Sequence, residues 1–339
     1  MLLKKLAGAV CAAAIALGVA GAAQAETVWR FGTAAQPGSV LYDVIQKFLG
    51  DFNAEFAKDE IKLEFQFVGN EQEMFQQLTR GRLHIGGTSF AGSSVAIPEN
   101  IITTLPYLWN SDEERIFITD NYVIPVLKEV AATKGAVLID WGDVGWNDVI
   151  CNFECRTPDQ LKGQKARMSP VSRNFWEAVG ANGVQMPLSE FFPGLQQGLV
   201  VAGDLPFLYY ITTPAAQSAP YYVTTRHLHH GAAWYMNQKL HEGLSDDQRA
   251  RLEKVLPKPA DTRKLVMADE QLPDSPKAKE FVAKGGKIIL LTDAERKQWM
   301  DLVQPIQQQM VDALAAGPAP RAKDVWNAVL EGRKAFANK

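Results

Sequence analysis

No stretch limits the possible folds as much as Thr157 to Pro206, TPDQLKGQKARMSPVSRNFWEAVGANGVQMPLSEFFPGLQQGLVVAGDLP. Strand character at 165–168, 183–186 and 199–202 alternates with helical spacing between, the pattern of a parallel sheet covered by helices. In open sheets of this kind ligands bind beyond the carboxyl ends of the strands. Arg167 stands at one such end, Leu188 and Ser189 follow a second, and Gly203, Asp204, Leu205 and Pro206 follow a third. Ser189 is the expected N-cap of the helix between the last two strands, with Pro193 in its first turn, where a missing N–H costs little.

The remainder continues the alternation. A strand at 27–33 ends in the small residues Gly32, Thr33, Ala34 and Ala35, and a helix over 40–57 carries Tyr42, Ile45, Phe48, Leu49 and Phe52 at helical spacing. IKLEFQFV at 61–68 alternates like a half-buried strand, and a helix over 71–81 follows. A strand at 83–89 leads to Thr88, Ser89 and Phe90, which become candidate cleft contacts. A helix over 112–133 and a strand at 136–141 follow. Ser245 caps a helix that Pro257 and Pro259 stop, a strand lies at 287–291, Thr292 caps a helix over 293–315, and a basic helix occupies 323–339.

The first 25 residues read as a secretory signal: Lys4 and Lys5, an Ala/Gly-rich apolar run, then Ala23-Gln24-Ala25 before a mature start near Glu26. Cys11 lies within that leader, leaving Cys151 and Cys155, which an oxidising periplasm is expected to join in a disulfide. A formal net charge of −3 without basic runs argues against nucleic acid as a partner. Neither a cofactor nor a metal site is expected: there is no H-x-x-x-H or C-x-x-C, and His227, His229 and His230 read as solvated or core-edge residues. Gly87-Thr88-Ser89-Phe90-Ala91 approaches the elbow of serine hydrolases, but alanine stands where that motif needs its second glycine.

RFGTA after Trp29, QEMFQQLTRG from Gln72, TLPYLW from Thr104, LKGQKAR from Leu161 and GLSDDQRARLEKVL from Gly243 occur in an order that resembles the periplasmic solute-binding proteins of TRAP (tripartite ATP-independent periplasmic) transporters. That resemblance implies an α/β two-lobed Venus-flytrap fold, with residues 26–146 and 232–272 in lobe 1, and 147–231 and 273–339 in lobe 2 and the C-terminal helices. In such a fold the helix over 112–133 and the strand at 136–141 complete the first lobe, and the chain crosses near Gly145, Trp146 and Asn147 and returns through 227–236. It implies a protein that catalyses nothing, closes over a small organic acid, and delivers it to small and large membrane subunits. Arg167 takes the position of the arginine that binds the ligand carboxylate, and a guanidinium fork suits that task. Several family contacts are replaced: Asn147 stands for a second arginine, Leu205 for an asparagine, Asp204 for a glutamate, and Ser89 where some members carry an acid. Trp146, Phe90, Leu188, Leu205 and Phe207 then suggest a pocket for one acid group on an apolar or aromatic body, and Asp204 a partner for an amino group. A periplasmic sensor, and a secreted hydrolase using Ser89, are the alternative readings.

Overall fold

The computed structural model describes residues 26–339 apart from Glu270, and says nothing of the side chains of Val40 and Asp269. The leader assigned to residues 1–25 lies outside the described residues. Nine strands form one sheet: β1 (Thr27–Thr33), β2 (Ile61–Phe67), β3 (Ile85–Ser89), β4 (Ala136–Cys151), β5 (Lys165–Met168), β6 (Asn182–Gln185), β7 (Ala202–Pro206), β8 (Tyr221–Asn237) and β9 (Lys287–Ile289). Their order is β2-β1-β3-β8-β4-β7-β5-β6, with β9 beside β8. The outer groups are parallel, β1 with β2 and β3, and β5 with β6 and β7. Antiparallel β4 and β8 run through the middle and belong to both halves.

Each half buries its own core on both faces of its sheet, as strands covered by helices on two sides require. In the first half the helix Val40–Phe56 packs Ile45, Phe48 and Phe52 against Trp29, Phe31 and Trp234. On the other face Met74, Phe75 and Leu78 join Leu105, Leu108 and Trp109. In the second half Phe175, Trp176 and Trp299 fill one face, and Phe191, Phe207 and Tyr222 the other.

Several expectations are corrected. The third strand of the opening stretch is Ala202–Pro206 rather than 199–202, because Val201 bonds outward to Lys165 and the regular ladder begins one residue on. Ser189 does not cap its helix: Leu188–Gln196 begins directly after Pro187 without a side-chain cap, and the Glu190 N–H donates to the Pro187 carbonyl. The strand at 136–141 continues to Cys151, and the return strand begins at Tyr221, since pairing with each other lets both cross the molecule without a break. The helix over 112–133 contains a wider turn at Thr119–Val123. The aromatic stretch 207–219 makes two one-turn helices, Phe207–Tyr210 and Ala215–Ser218. The final helices, Gln307–Ala316 and Ala322–Ala337, bury Met310, Val311, Val325, Trp326 and Val329 in the first half's core, not in the second.

Candidate functional site: the cleft between the halves

A cleft holding about 1100 Å³ of open space lies where the two halves meet over β4 and β8. The end of β1 contributes Thr33, Ala34 and Ala35, whose small side chains bring backbone to the cleft edge, and the helix Val40–Phe56 contributes Leu41, Val44 and Ile45. Across from them stand Arg167, Leu188, Leu205 and Tyr209, with Asn147 and His230 on the floor.

Arg167 is 7% exposed. Its Nε donates to the Met186 carbonyl at 3.3 Å, and the guanidinium lies 5.5 Å from the Phe191 ring centre, so one edge of the fork is fixed by the second half. Burial lowers its pKa, while Asp204, Glu71 and Tyr209 counter that effect through space; an arginine remains charged regardless. No carboxylate among the described residues pairs with it at contact distance.

Asp204 is fully buried. Its Oδ1 accepts from Trp176 Nε1 at 2.9 Å and its Oδ2 from Asn147 Nδ2 at 2.6 Å, with His227 Nε2 at 3.7 Å. Burial raises the carboxyl's pKa, but the nearby His227, the charge of Arg167 and the Trp176 bond outweigh it and hold the group well below the usual range. Each oxygen of the fully buried Asp204 thus already accepts a bond, one from Trp176 and one from Asn147, where the sequence reading offered the carboxylate to a ligand amine.

Three other expected contacts face elsewhere. Trp146 is turned by strand alternation to the opposite face from Asn147, where its indole donates to Asp112 at 3.2 Å and Arg226 stacks over it at 4.8 Å. Phe90 is buried in the first half's core, close against Gly231, where an added Cβ would meet its ring at 2.6 Å. Phe207 packs edge-on to Tyr222 and Phe281. Thr88, Ser89, Asn147, Arg167, Leu188, Asp204 and Leu205 do line the cleft.

Among the lining residues that sequence reasoning missed are Glu71, Tyr209, Asp140 and His230. Glu71 opens its helix directly after Asn70, which caps it, and its carboxylate accepts from the Ser89 N–H and hydroxyl, both at 2.8 Å, and from Thr88 at 3.3 Å. The N-cap position of Asn70 was the available signal, because it fixes where the next side chain starts. The same bonds correct the hydrolase reading, since the Ser89 hydroxyl donates to Glu71 and accepts from Gly92 N–H at 2.9 Å, and no histidine among the described residues bonds to it. The histidines are also corrected. His227 is completely buried between Phe175 and Asp204, and His229 packs on Trp146, because both lie on the long strand through the core and not at its edge. Burial pushes the His230 pKa down to about 4. Among the described residues no group of three or more His, Cys, Asp or Glu is placed to hold a metal. Cys151 and Cys155 are joined in a disulfide.

Residues 31–313 match the DctP family, bacterial extracellular solute-binding protein family 7. The chain belongs to this family. It is 24% identical over 313 residues to the ectoine/5-hydroxyectoine-binding periplasmic protein UehA of Ruegeria pomeroyi, covering 90% of this chain and 91% of that protein. It is 26% identical over 312 residues to the 2,3-diketo-L-gulonate-binding periplasmic protein YiaO of Escherichia coli, covering 89% and 91%. A TRAP periplasmic solute-binding protein from Ralstonia eutropha, solved with bound (S)-2-acetolactate, superposes with a TM-score of 0.80 at 18% identity over 92% of this chain and 99% of that one. The fold is thus the two-lobed α/β fold of the TRAP solute-binding proteins, and the family's members are periplasmic binding proteins rather than enzymes. No helix among the described residues is long and apolar enough to cross a membrane.

Proposed function

We propose that this chain is the periplasmic subunit of a TRAP transporter, that it captures a small organic monocarboxylate with an apolar body, and that it performs no catalysis. The observation that carries this reading is the Arg167 guanidinium, buried in the cleft wall and unpaired by any carboxylate there. Such a charge is costly to bury alone and calls for an anion that matches its fork. Leu41, Val44, Ile45, Leu188 and Leu205 supply apolar wall against which the body of such an acid would pack. A relative that binds 2,3-diketo-L-gulonate, itself a carboxylate, supports the class of ligand.

Residues 26–146 and 232–272 would form one lobe together with the last two helices, and 147–231 with 273–306 the other. Closure over the ligand follows if the ligand touches both walls, because only a difference in affinity between open and closed states shifts that equilibrium. The closed form would present both lobes to small and large membrane subunits, with residues 1–25 directing export.

Replacing Arg167 by Gln keeps a polar side chain at the site but shortens it and removes the charged fork. Loss of a charge-assisted pair worth about 1.5–3 kcal/mol lowers carboxylate affinity about 10- to 100-fold in calorimetric titration. Affinity within threefold of wild type would overturn the assignment of the site.

A further inference from the structure

Among the described residues, two polar atoms in the cleft wall have no hydrogen-bond partner. Asn147, 3% exposed, donates its amide to Asp204 Oδ2, and that ionised carboxylate can only accept, so it decides which way the amide lies. The Asn147 Oδ1 that remains is a buried acceptor without a partner, and His230 Nδ1 is likewise buried and unpartnered. Both residues line the cleft. The antiparallel register pairs Gly145 with His230 and Asn147 with Leu228, which makes Asn147 and His230 diagonal neighbours on one face of the crossing strands. Diagonal residues sit about 7–8 Å apart at the backbone, and their side chains can reach a common atom between them.

Buried polar groups nearly always find partners, so two adjacent orphans beside a cationic site define what a ligand has to bring. Asn147 Oδ1 accepts only, which requires a donor. A neutral imidazole Nδ1 can donate or accept. One hydroxyl satisfies both atoms, donating its proton to Asn147 and accepting from His230. A ketone oxygen leaves Asn147 unsatisfied, and a methylene leaves both. An ammonium reaches both but brings a like charge next to Arg167. Arg167, Asn147 and His230 line the same cleft, so a hydroxyl close to the carboxylate can meet the pair while the carboxylate meets Arg167.

We propose that the ligand is a 2-hydroxy monocarboxylate, its carboxylate on Arg167 and its hydroxyl bridging Asn147 Oδ1 and His230 Nδ1. The burial that keeps His230 neutral leaves its Nδ1 free to serve as donor in one tautomer. This inference rests on the reading of the cleft as a carboxylate site.

The test is a matched series on one carbon skeleton, titrated calorimetrically into the ligand-free mature protein: both enantiomers of 2-hydroxy-4-methylpentanoate, 4-methyl-2-oxopentanoate, 4-methylpentanoate and leucine. One hydroxy enantiomer is expected to bind about tenfold or more tightly than the oxo and unsubstituted acids. Equal binding of the hydroxy, oxo and unsubstituted acids would overturn the inference and leave the carboxylate reading standing. Leucine binding tightest would overturn the hydroxyl in favour of an amine, and binding of none would overturn both readings. In Asn147→Leu, checked for folding by circular dichroism, the preference for hydroxy over unsubstituted acid is expected to fall to near unity. A preference that survives would remove Asn147 from the assignment, and the wild-type series decides the ligand class even if that variant does not fold.

Discussion

Asp140 lines the cleft at 7% exposure, and the bond it receives is from its neighbour Trp141's backbone N–H. Burial pushes its pKa up to about 7, because Lys258, Arg263 and Lys128 act only through space. A carboxyl whose folded pKa lies above its unfolded value binds more protons in the native state, so its contribution falls as pH rises from about 4 to about 7 and then levels off. Asp140→Asn has no charge to bury. The variant should therefore gain in melting temperature over wild type across that window, by on the order of 5 °C above pH 7, and show little difference near pH 4. A difference independent of pH in thermal melts would contradict the burial of Asp140 as charge. Arg167 differs because a guanidinium keeps its charge and waits for a partner, whereas a carboxyl can shed its charge at modest cost.

Among elements, β4 carries the most functions. Its register with β8 shifts between Leu138 and Asp140, between Asp143 and Gly145, and between Asn147 and Val149, so the strand bends where the halves meet. At the last shift β8 bulges out, Arg226 adopts φ +45°, and its N–H donates to the buried Asp148 at 2.5 Å. The strand is tied by Arg115, which donates to Asp143 at 2.9 and 2.7 Å and to Asp112 at 3.2 and 3.0 Å. The strand ends at the Cys151–Cys155 disulfide, both residues fully buried beside Leu161 and Trp176. A loop this short gains about 2 kcal/mol from the cross-link by chain entropy. Replacing both cysteines by alanine should lower stability by about that amount in urea titration, and thiol alkylation of the native protein should occur only after reduction. Two alkylated thiols without reductant would refute the pairing.

Over the whole molecule, the halves share one sheet but not one core, and the two crossing strands are the main covalent and hydrogen-bonded link. The TLPYLW segment adds a peg: Leu105, Leu108 and Trp109 belong to the first half's core, while Tyr107, at φ +54°, is packed into the second half's. The final helix packs into the first half's core, with Gly332 against Ile118 and Tyr122. An added Cβ there would lie 2.8 Å from Ile118, so Gly332→Leu overpacks the contact and should cost about 1–3 kcal/mol in denaturant melts. Ligand affinity in the folded variant should stay within about twofold of wild type, a change well under the 1.4 kcal/mol of a tenfold shift, since no residue of that helix lines the cleft. A large loss of affinity would mean that the helix takes part in closure.

Local order was legible because periodicity and capping are local. The runs 27–33, 61–67 and 165–168, the cap at Ser245 and the stop before Pro257 follow from neighbouring residues alone. Arg167 could be singled out because it stands at the carboxyl end of a strand and at the position where the family resemblance puts an arginine. The direction of a side chain across a bent strand was not legible, because each register shift resets which face it joins. That is why Trp146 left the site while His230 entered it, and why the burial of Asp204 under Trp176 and Asn147 emerged only with the fold. The sequence by itself determined the elements, their alternation and the charge offered to a ligand; the tertiary structure alone decided which polar atoms are left unpaired around it, because pairing depends on residues 28 and 57 positions apart in the chain meeting at one carboxylate.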